Sequence, residues 1–345
     1  MQTMQSKGSG KGIAEITFAR AFCAIGIIIY HFLAGSNSGI EFGHNYPNGT
    51  WGAAYVTAFF AISGAVMYYN HSEVPSVWKF WYKRARSIFP AFYIAYAFCF
   101  LENLFKTGDP FSHGQPWCLI FSVLGLDGYL EGSVPTYYFV GEWFLGAIII
   151  LYLLYPLLAW AFRKSELIST LAVAVLYIWM LYTPLFEGRM LVRNIISCIM
   201  NFWVGMLAIR YKNVLLDKWA PTCLLAVFFL AANFVRIPIN LVFVNHLYGI
   251  AVFFILYKLG GAVMKNGWLN RLFSKLSALS YPIFLAHHQI IFKVLGYQNP
   301  ASYGGTAVMF LMTLILTLAA AEALDILSKA VMKTPAIKKL EAKIL

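Results

Sequence analysis

The sequence predicts an all-α, polytopic integral membrane protein with about ten transmembrane helices and with both termini in the cytoplasm. Composition is the first reason. Of the 345 residues, 60% are hydrophobic and only 12% are charged, whereas soluble domains contain about 45–50% apolar and about 25% charged residues. The second reason is that ten apolar segments approach the roughly 20 residues that a membrane-crossing helix needs.

The ten segments can be placed directly on the sequence. They cover residues 14–34, 51–69, 88–105, 139–160, 167–186, 191–209, 219–236, 241–260, 277–296 and 305–327. A further apolar stretch, residues 116–127, is too short to cross a bilayer and is expected at the interface or in a re-entrant loop. The predicted organisation is a cytoplasmic segment (1–13), one membrane domain (14–327) and a basic cytoplasmic tail (328–345) that lies on anionic lipid.

The distribution of basic residues predicts the orientation. With the N-terminus inside, the predicted cytoplasmic segments hold 20 of the 26 lysines and arginines, as the positive-inside rule requires. The net charge of +12 then reflects cytoplasmic loops, and no nucleic-acid partner is expected. The five cysteines form no CxxC pair, so they predict neither a metal site nor a disulfide framework.

Two polar residues stand out in the first apolar segment. Arg20 and His31 are eleven residues apart, a rotation of about 1100°, so on a helix they share one face with about 16 Å between them along the axis. A charge at mid-membrane costs at least about 2.5–3.5 kcal/mol. Taken singly, the two residues are readily explained as a snorkelling arginine and an interfacial histidine. Together they predict a polar path from the cytoplasm to the outer side.

Five sequence patterns, in register, carry a resemblance to a known family. The chain resembles the acyltransferase family 3 integral membrane proteins in its Arg20–His31 pair and in VTAFFAISGAVMYY (56–69), FWYKRARSIFPAFY (80–93), EWFLGAIIILYLLYP (142–156) and LSALSYPIFLAHHQII (276–291). The resemblance extends over nearly the whole chain. It implies a membrane O-acyltransferase domain over residues 14–327.

The resemblance also implies a reaction. Family members move an acyl group, commonly acetyl, from cytoplasmic acyl-CoA to a hydroxyl of a cell-surface polysaccharide or lipid-linked glycan. It implies that His31 is catalytic, and a neutral imidazole can indeed act as a base or as a nucleophile. Acetyl-CoA is then a co-substrate, and no tightly bound cofactor is expected. Because the family is largely bacterial, the expected location is the inner (plasma) membrane.

A cationic site is expected for the donor, because the phosphates of CoA cannot enter lipid. Guanidinium and ammonium groups bind phosphate well, and the candidates are Arg20, Lys83, Arg84 and Arg86. Arg86 lies one place away from the family's arginine pattern. Its part is therefore less well supported than that of Arg84.

Other candidates are expected at the outer end of the path. Ile148 stands where many members carry a glutamate, and the nearest acid is Glu142, either a second catalytic residue or an ordinary interfacial glutamate. Trp143 and Tyr138 are candidates for stacking on an acceptor sugar. His287 matches the family pattern in the late helix and is a further substrate-side candidate, although packing or a supporting hydrogen bond also explains it. His288 is expected to face elsewhere, because neighbouring helical residues are about 100° apart.

Other classes of protein remain open at this stage. A transporter or flippase for a glycolipid or a small anion would also keep Arg, His and Glu in the membrane. The chain shows no inverted repeat, however, and a transporter has no reason to bind CoA. A membrane sensor or scaffold is a third alternative, which would tolerate the loss of His31. The oligomeric state, a homo-oligomer included, is also open.

Overall fold

A computed structural model describes residues 13–109, 111, 114–138, 140–186, 190–300 and 302–344. Nearly all of the regular structure in these ranges is helical, which confirms the all-α prediction. Apart from residue 13, the predicted N-terminal segment lies outside the described residues. The helices are α1 (Ala14–Gly35), α2 (Trp51–His71), α3 (Val77–Thr107), α4 (Leu119–Val123), α5 (Glu142–Lys164), α6 (Glu166–Tyr182), α7 (Ile195–Arg210), α8 (Lys212–Leu215), α9 (Trp219–Phe234), α10 (Leu241–Val263), α11 (Gly267–Ala278), α12 (Ser280–Tyr297), α13 (Tyr303–Met332) and α14 (Pro335–Ile344).

The described helices include six that are long and apolar enough to cross a membrane, namely α1, α2, α3, α5, α10 and α13. The apolar helices α6, α7 and α9 have 17, 16 and 16 residues. They are therefore only about 24–26 Å long, against a hydrocarbon thickness of about 30 Å. Each of the ten predicted segments coincides with a helix, but the count of ten spans and the side of the termini stay predictions.

Helix α3 differs from its predicted extent. The predicted segment begins at residue 88, but α3 begins at Val77 and runs for 31 residues. Ser76 caps its start by accepting a hydrogen bond from the Lys79 backbone N–H. The basic stretch is therefore helical, and its side chains point in directions that differ by about 100° per residue.

The stretch 116–127 forms no long helix, in line with the prediction that it does not span the membrane. It contains a single 3₁₀ turn and the five-residue α4. Two short strands, β1 (Asn45–Tyr46) and β2 (Gly49–Thr50), pair as an antiparallel hairpin just before α2. The Thr50 side chain then caps α2 by accepting a hydrogen bond from the Ala53 N–H.

Helices α2 and α7 are in extensive contact. A Cβ atom added at Gly64 would lie 1.9 Å from the Phe202 carbonyl oxygen, and one at Gly205 would lie 1.9 Å from the Ala61 carbonyl oxygen. Only glycine permits the two backbones to touch in this way, and small residues at helix contacts are typical of membrane bundles. Helix α2 also packs on α10 and α1, and α1 packs on α12. These contacts fix α1, α2 and α12 around one cavity.

Candidate active site

A cavity of about 320 Å³ lies among α1, α2, α3, α5 and α12. Both residues singled out in the first helix line it, so the shared face of Arg20 and His31 is turned towards this space. Arg84 from α3 lines the cavity together with Arg20, and Glu142 lines it together with His31. Because α1 continues unbroken from Ala14 to Gly35, Arg20 and His31 stay about 16 Å apart.

The residues of each helix show that the cavity has two chemically distinct ends. On α5, Glu142 and Tyr152 both line it, about 15 Å apart along the axis, and Tyr152 lies near Arg20 and Arg84. We call the region around Arg20, Arg84 and Tyr152 the arginine end. We call the region around His31 and Glu142 the histidine end.

The arginine end holds two cations, Arg20 and Arg84. Among the residues that the structure describes, no carboxylate forms an ion pair with Arg20 or Arg84. The Arg84 Nε atom is buried and has no hydrogen-bond partner among the described residues. Its guanidinium lies against two aromatic rings, with Cζ 5.7 Å from the Phe80 ring centroid and 6.0 Å from that of Tyr152. Such an end is suited to an anionic ligand.

The other two basic candidates lie outside this cavity. Lys83 is exposed, and neither Lys83 nor Arg86 is among the described residues that line the cavity. Arg86 faces a separate groove with Asp325 and Lys329. Its Nε atom pairs with Glu341 Oε1 of the tail helix α14 at 2.6 Å. The helical form of this stretch explains the divergence, since residues 84 and 86 point about 200° apart.

The histidine end is a compact group of four polar side chains. The ligand-type atoms of His31, Glu142, His287 and His288 all lie within 4.8 Å of one another. Glu142 Oε1 is 3.0 Å from His288 Nε2 and 3.6 Å from His287 Nε2. The His31 ring centroid is 4.0 Å from that of His288 and 5.2 Å from that of His287. His287 is fully buried.

The position of Glu142 depends on unusual backbone geometry. Its φ angle is +36°, a value that residues other than glycine rarely adopt, and such strain is often found at functional sites. The preceding loop packs on it so closely that a Cβ at Gly128 would lie 2.3 Å from the Glu142 carbonyl carbon. Within that loop, buried Asp127 accepts hydrogen bonds from the Ser122 hydroxyl and the Gly128 N–H. Burial also raises the pKa of Asp127 above its ordinary value.

The three candidates for acceptor binding occupy different places. Trp143 lines the cavity, and Arg193 Cζ lies 5.5 Å from its ring centroid while Arg193 Nη1 pairs with Glu131 at 2.6 Å. Tyr138 is buried, packs on Tyr96, and accepts a hydrogen bond at its backbone oxygen from the Gln289 side chain. His287 is buried in the cluster just described and is not among the described residues that line the cavity.

His288 is the residue that the sequence pattern did not single out. It was expected to point away from His287, yet both imidazoles reach the same carboxylate. Glu142 Oε1 lies within 3.6 Å of both Nε2 atoms, so two side chains that leave the helix about 100° apart still approach one carboxylate. The available signal was the pair itself, because two adjacent histidines inside an apolar helix are costly without polar partners.

This arrangement is suited to group transfer between two compartments. An anionic molecule can bind at the arginine end, and its far part can extend along the cavity. At the other end, an imidazole beside a carboxylate can take a proton from a hydroxyl group.

Comparison with known families identifies the chain. The family model described as an acyltransferase domain matches residues 13–324, so the chain belongs to acyltransferase family 3, as its motifs indicated. Together with its apolar helices, this membership makes it a membrane acyltransferase. Comparisons with curated proteins and with solved structures give no match.

Proposed function

We propose that this acyltransferase transfers an acyl group, acetyl in the first instance, from cytoplasmic acyl-CoA to a hydroxyl of a cell-surface polysaccharide or lipid-linked glycan. The expected location is the bacterial inner membrane. The observation that carries the proposal is the single cavity with Arg20 and Arg84 at one end and His31 with Glu142 at the other. Acyl-CoA is the co-substrate, and membrane lipid surrounds the bundle.

The donor is assigned to the arginine end. The phosphates of CoA need cationic partners, and the two arginines there have no carboxylate partner among the described residues. The slender pantetheine arm would then extend along the cavity and carry the thioester towards His31. Lys83 and Arg86 lie outside the cavity. Their proposed contribution is therefore only a weak electrostatic attraction of the donor.

The reaction is assigned to the histidine end. The acceptor hydroxyl oxygen bonds to the thioester carbonyl carbon while its proton passes to His31, which acts as the general base. The carbon–sulfur bond then breaks, and the departing CoA thiolate takes the proton from the imidazolium. Glu142 stabilises the positive charge that forms on the imidazole cluster. The Trp143 ring, with Arg193 beside it, offers a surface on which an acceptor sugar can stack.

The proposal is tested with purified protein in nanodiscs. Calorimetric titration with acetyl-CoA should give saturable binding to the wild type and to the matched control Arg163→Ala, whose arginine pairs with Glu73. Binding to Arg84→Ala should be weaker. Slow release of CoA should occur in the wild type and in the control His44→Ala, but not in His31→Ala.

The main rival class gives a different result in the same experiment. A transporter or flippase would leave folded wild-type protein without measurable affinity for any acyl-CoA. That outcome would overturn the proposal, and glycolipid flux would then be the property to measure.

A further inference from the structure

The histidine end contains more polar side chains than a catalytic base needs. Three imidazoles and one carboxylate from α1, α5 and α12 place their ligand-type atoms within 4.8 Å of one another. We infer that Glu142, His287 and His288 form a binding site for a divalent metal ion, Zn²⁺ by the nature of the donor atoms, next to the catalytic base His31. The sequence predicted no metal site from its cysteines, whereas the histidines of this cluster come together from α1 and α12.

The hydrogen bonding of His287 is the first argument. Its Nδ1 atom lies 2.8 Å from the Phe284 carbonyl oxygen, which can only accept, so Nδ1 must carry the proton. In the neutral ring, Nε2 then presents its lone pair. Such a backbone partner is typical of metal-binding histidines, because it fixes the tautomer and the ring orientation.

The surroundings of that lone pair are the second argument. His287 Nε2 is buried, has no hydrogen-bond partner among the described residues, and lies 3.6 Å from Glu142 Oε1. When the ring is neutral, two acceptor atoms therefore lie 3.6 Å apart without a hydrogen atom between them. A buried arrangement of this kind is unfavourable unless positive charge lies between the two atoms.

The geometry of Glu142 and His288 is the third argument. Glu142 Oε1 is 3.0 Å from His288 Nε2, yet the carboxylate oxygen makes no hydrogen bond with any described residue. Close approach without hydrogen-bond alignment is expected when neighbouring atoms point at a shared ion. Ligands of a tetrahedral Zn²⁺ at about 2.0–2.1 Å are about 3.4 Å apart, close to the separations of 3.0 and 3.6 Å observed here.

The donor set and the access to the site favour zinc. Two imidazoles and one carboxylate are a known ligand set for catalytic Zn²⁺, whose fourth position stays open. Glu142 and His31 line the cavity, so an ion held by Glu142 would lie beside the cavity, with its open position available to the substrates. A bound ion would act as a Lewis acid towards the thioester carbonyl or the acceptor hydroxyl. This chemical role rests on the proposed function, but the binding of the ion does not.

The test measures metal content directly. Wild-type protein in detergent is dialysed against ZnCl₂, freed of loose metal by gel filtration, and analysed by elemental mass spectrometry. We expect about one zinc per chain in the wild type and in the control His44→Gln. In His287→Gln/His288→Gln and in Glu142→Gln, the retained zinc should fall well below one per chain, because the loss of a ligand weakens binding by more than the roughly 10- to 100-fold that is typical of supporting residues.

Folding is checked by monodisperse elution and by helical circular dichroism, and the single variant Glu142→Gln serves if the double variant fails to fold. Folded wild type without stoichiometric zinc would overturn the inference, as would folded variants that retain zinc like the control. If the wild type retains no zinc after dialysis against ZnCl₂ but still releases CoA in a His31-dependent manner, the acyltransferase proposal stands and only the metal site fails. Stoichiometric zinc without acyl-CoA binding would support the metal site while the proposed function fails.

Discussion

The two ends of the cavity differ in how tightly their polar side chains are held. At the arginine end, the guanidinium of Arg84 rests on aromatic rings and is held by few directed contacts. At the histidine end, four polar side chains converge within 4.8 Å, and the backbone of one of them is strained. The first arrangement suits a large mobile anion that needs charge more than precise placement. The second suits a reacting group, for which small displacements are costly.

The largest effect should come from removing the base at the histidine end. His31→Ala should lower the rate of acyl transfer by about 10²- to 10⁴-fold, the usual contribution of a positioned general base. Binding of acetyl-CoA should stay close to the wild-type value, because the arginine end is untouched. Thiol release and calorimetry measure the two quantities separately. An equal loss of both would show that the two ends are not separable.

Glu142→Gln should have the next largest effect. The change keeps the size of the side chain but removes the charge that faces two imidazoles, so we expect a loss of about 10- to 100-fold in the transfer rate. The affinity for the donor should again change little. A wild-type rate in this variant would mean that Glu142 is only an interfacial residue, the alternative that the sequence left open.

Arg84→Ala should show the opposite pattern. Hydrogen bonds to charged groups contribute roughly 1.5–3 kcal/mol, so the dissociation constant for acetyl-CoA should rise at least about tenfold. The rate at saturating donor should be nearly maintained. Steady-state kinetics with varied donor concentration checks this, and a fall in the saturated rate alone would contradict the division of roles.

Arg86→Ala should have the smallest effect. Its side chain is 42% exposed and pairs with Glu341 outside the cavity, and exposed ion pairs contribute about 0–1 kcal/mol. The donor affinity should therefore change by less than about threefold. A loss as large as that of Arg84→Ala would place the phosphates of the donor in the groove beside α14 instead.

The sequence predicted features that depend on one helix and left open those that depend on several. The shared face of Arg20 and His31 follows from helical periodicity alone, and both residues line the same cavity. The split between Arg84 and Arg86 required knowing that α3 begins at Val77 rather than near residue 88. The meeting of Glu142 with His288 depends on how α5 packs against α12, and no local pattern encodes that contact.

The continuity of α1 has a consequence for the choice of donor. Because Arg20 and His31 belong to one helix, the distance of about 16 Å between them is fixed. The distance between the charged group and the thioester of the donor must match it. An acyl carrier with a long arm can place its charged head at Arg20 and its thioester at His31. A short activated acyl compound, such as an acyl phosphate, can reach only one of the two residues at a time. The protein would therefore select its donor by length as well as by charge.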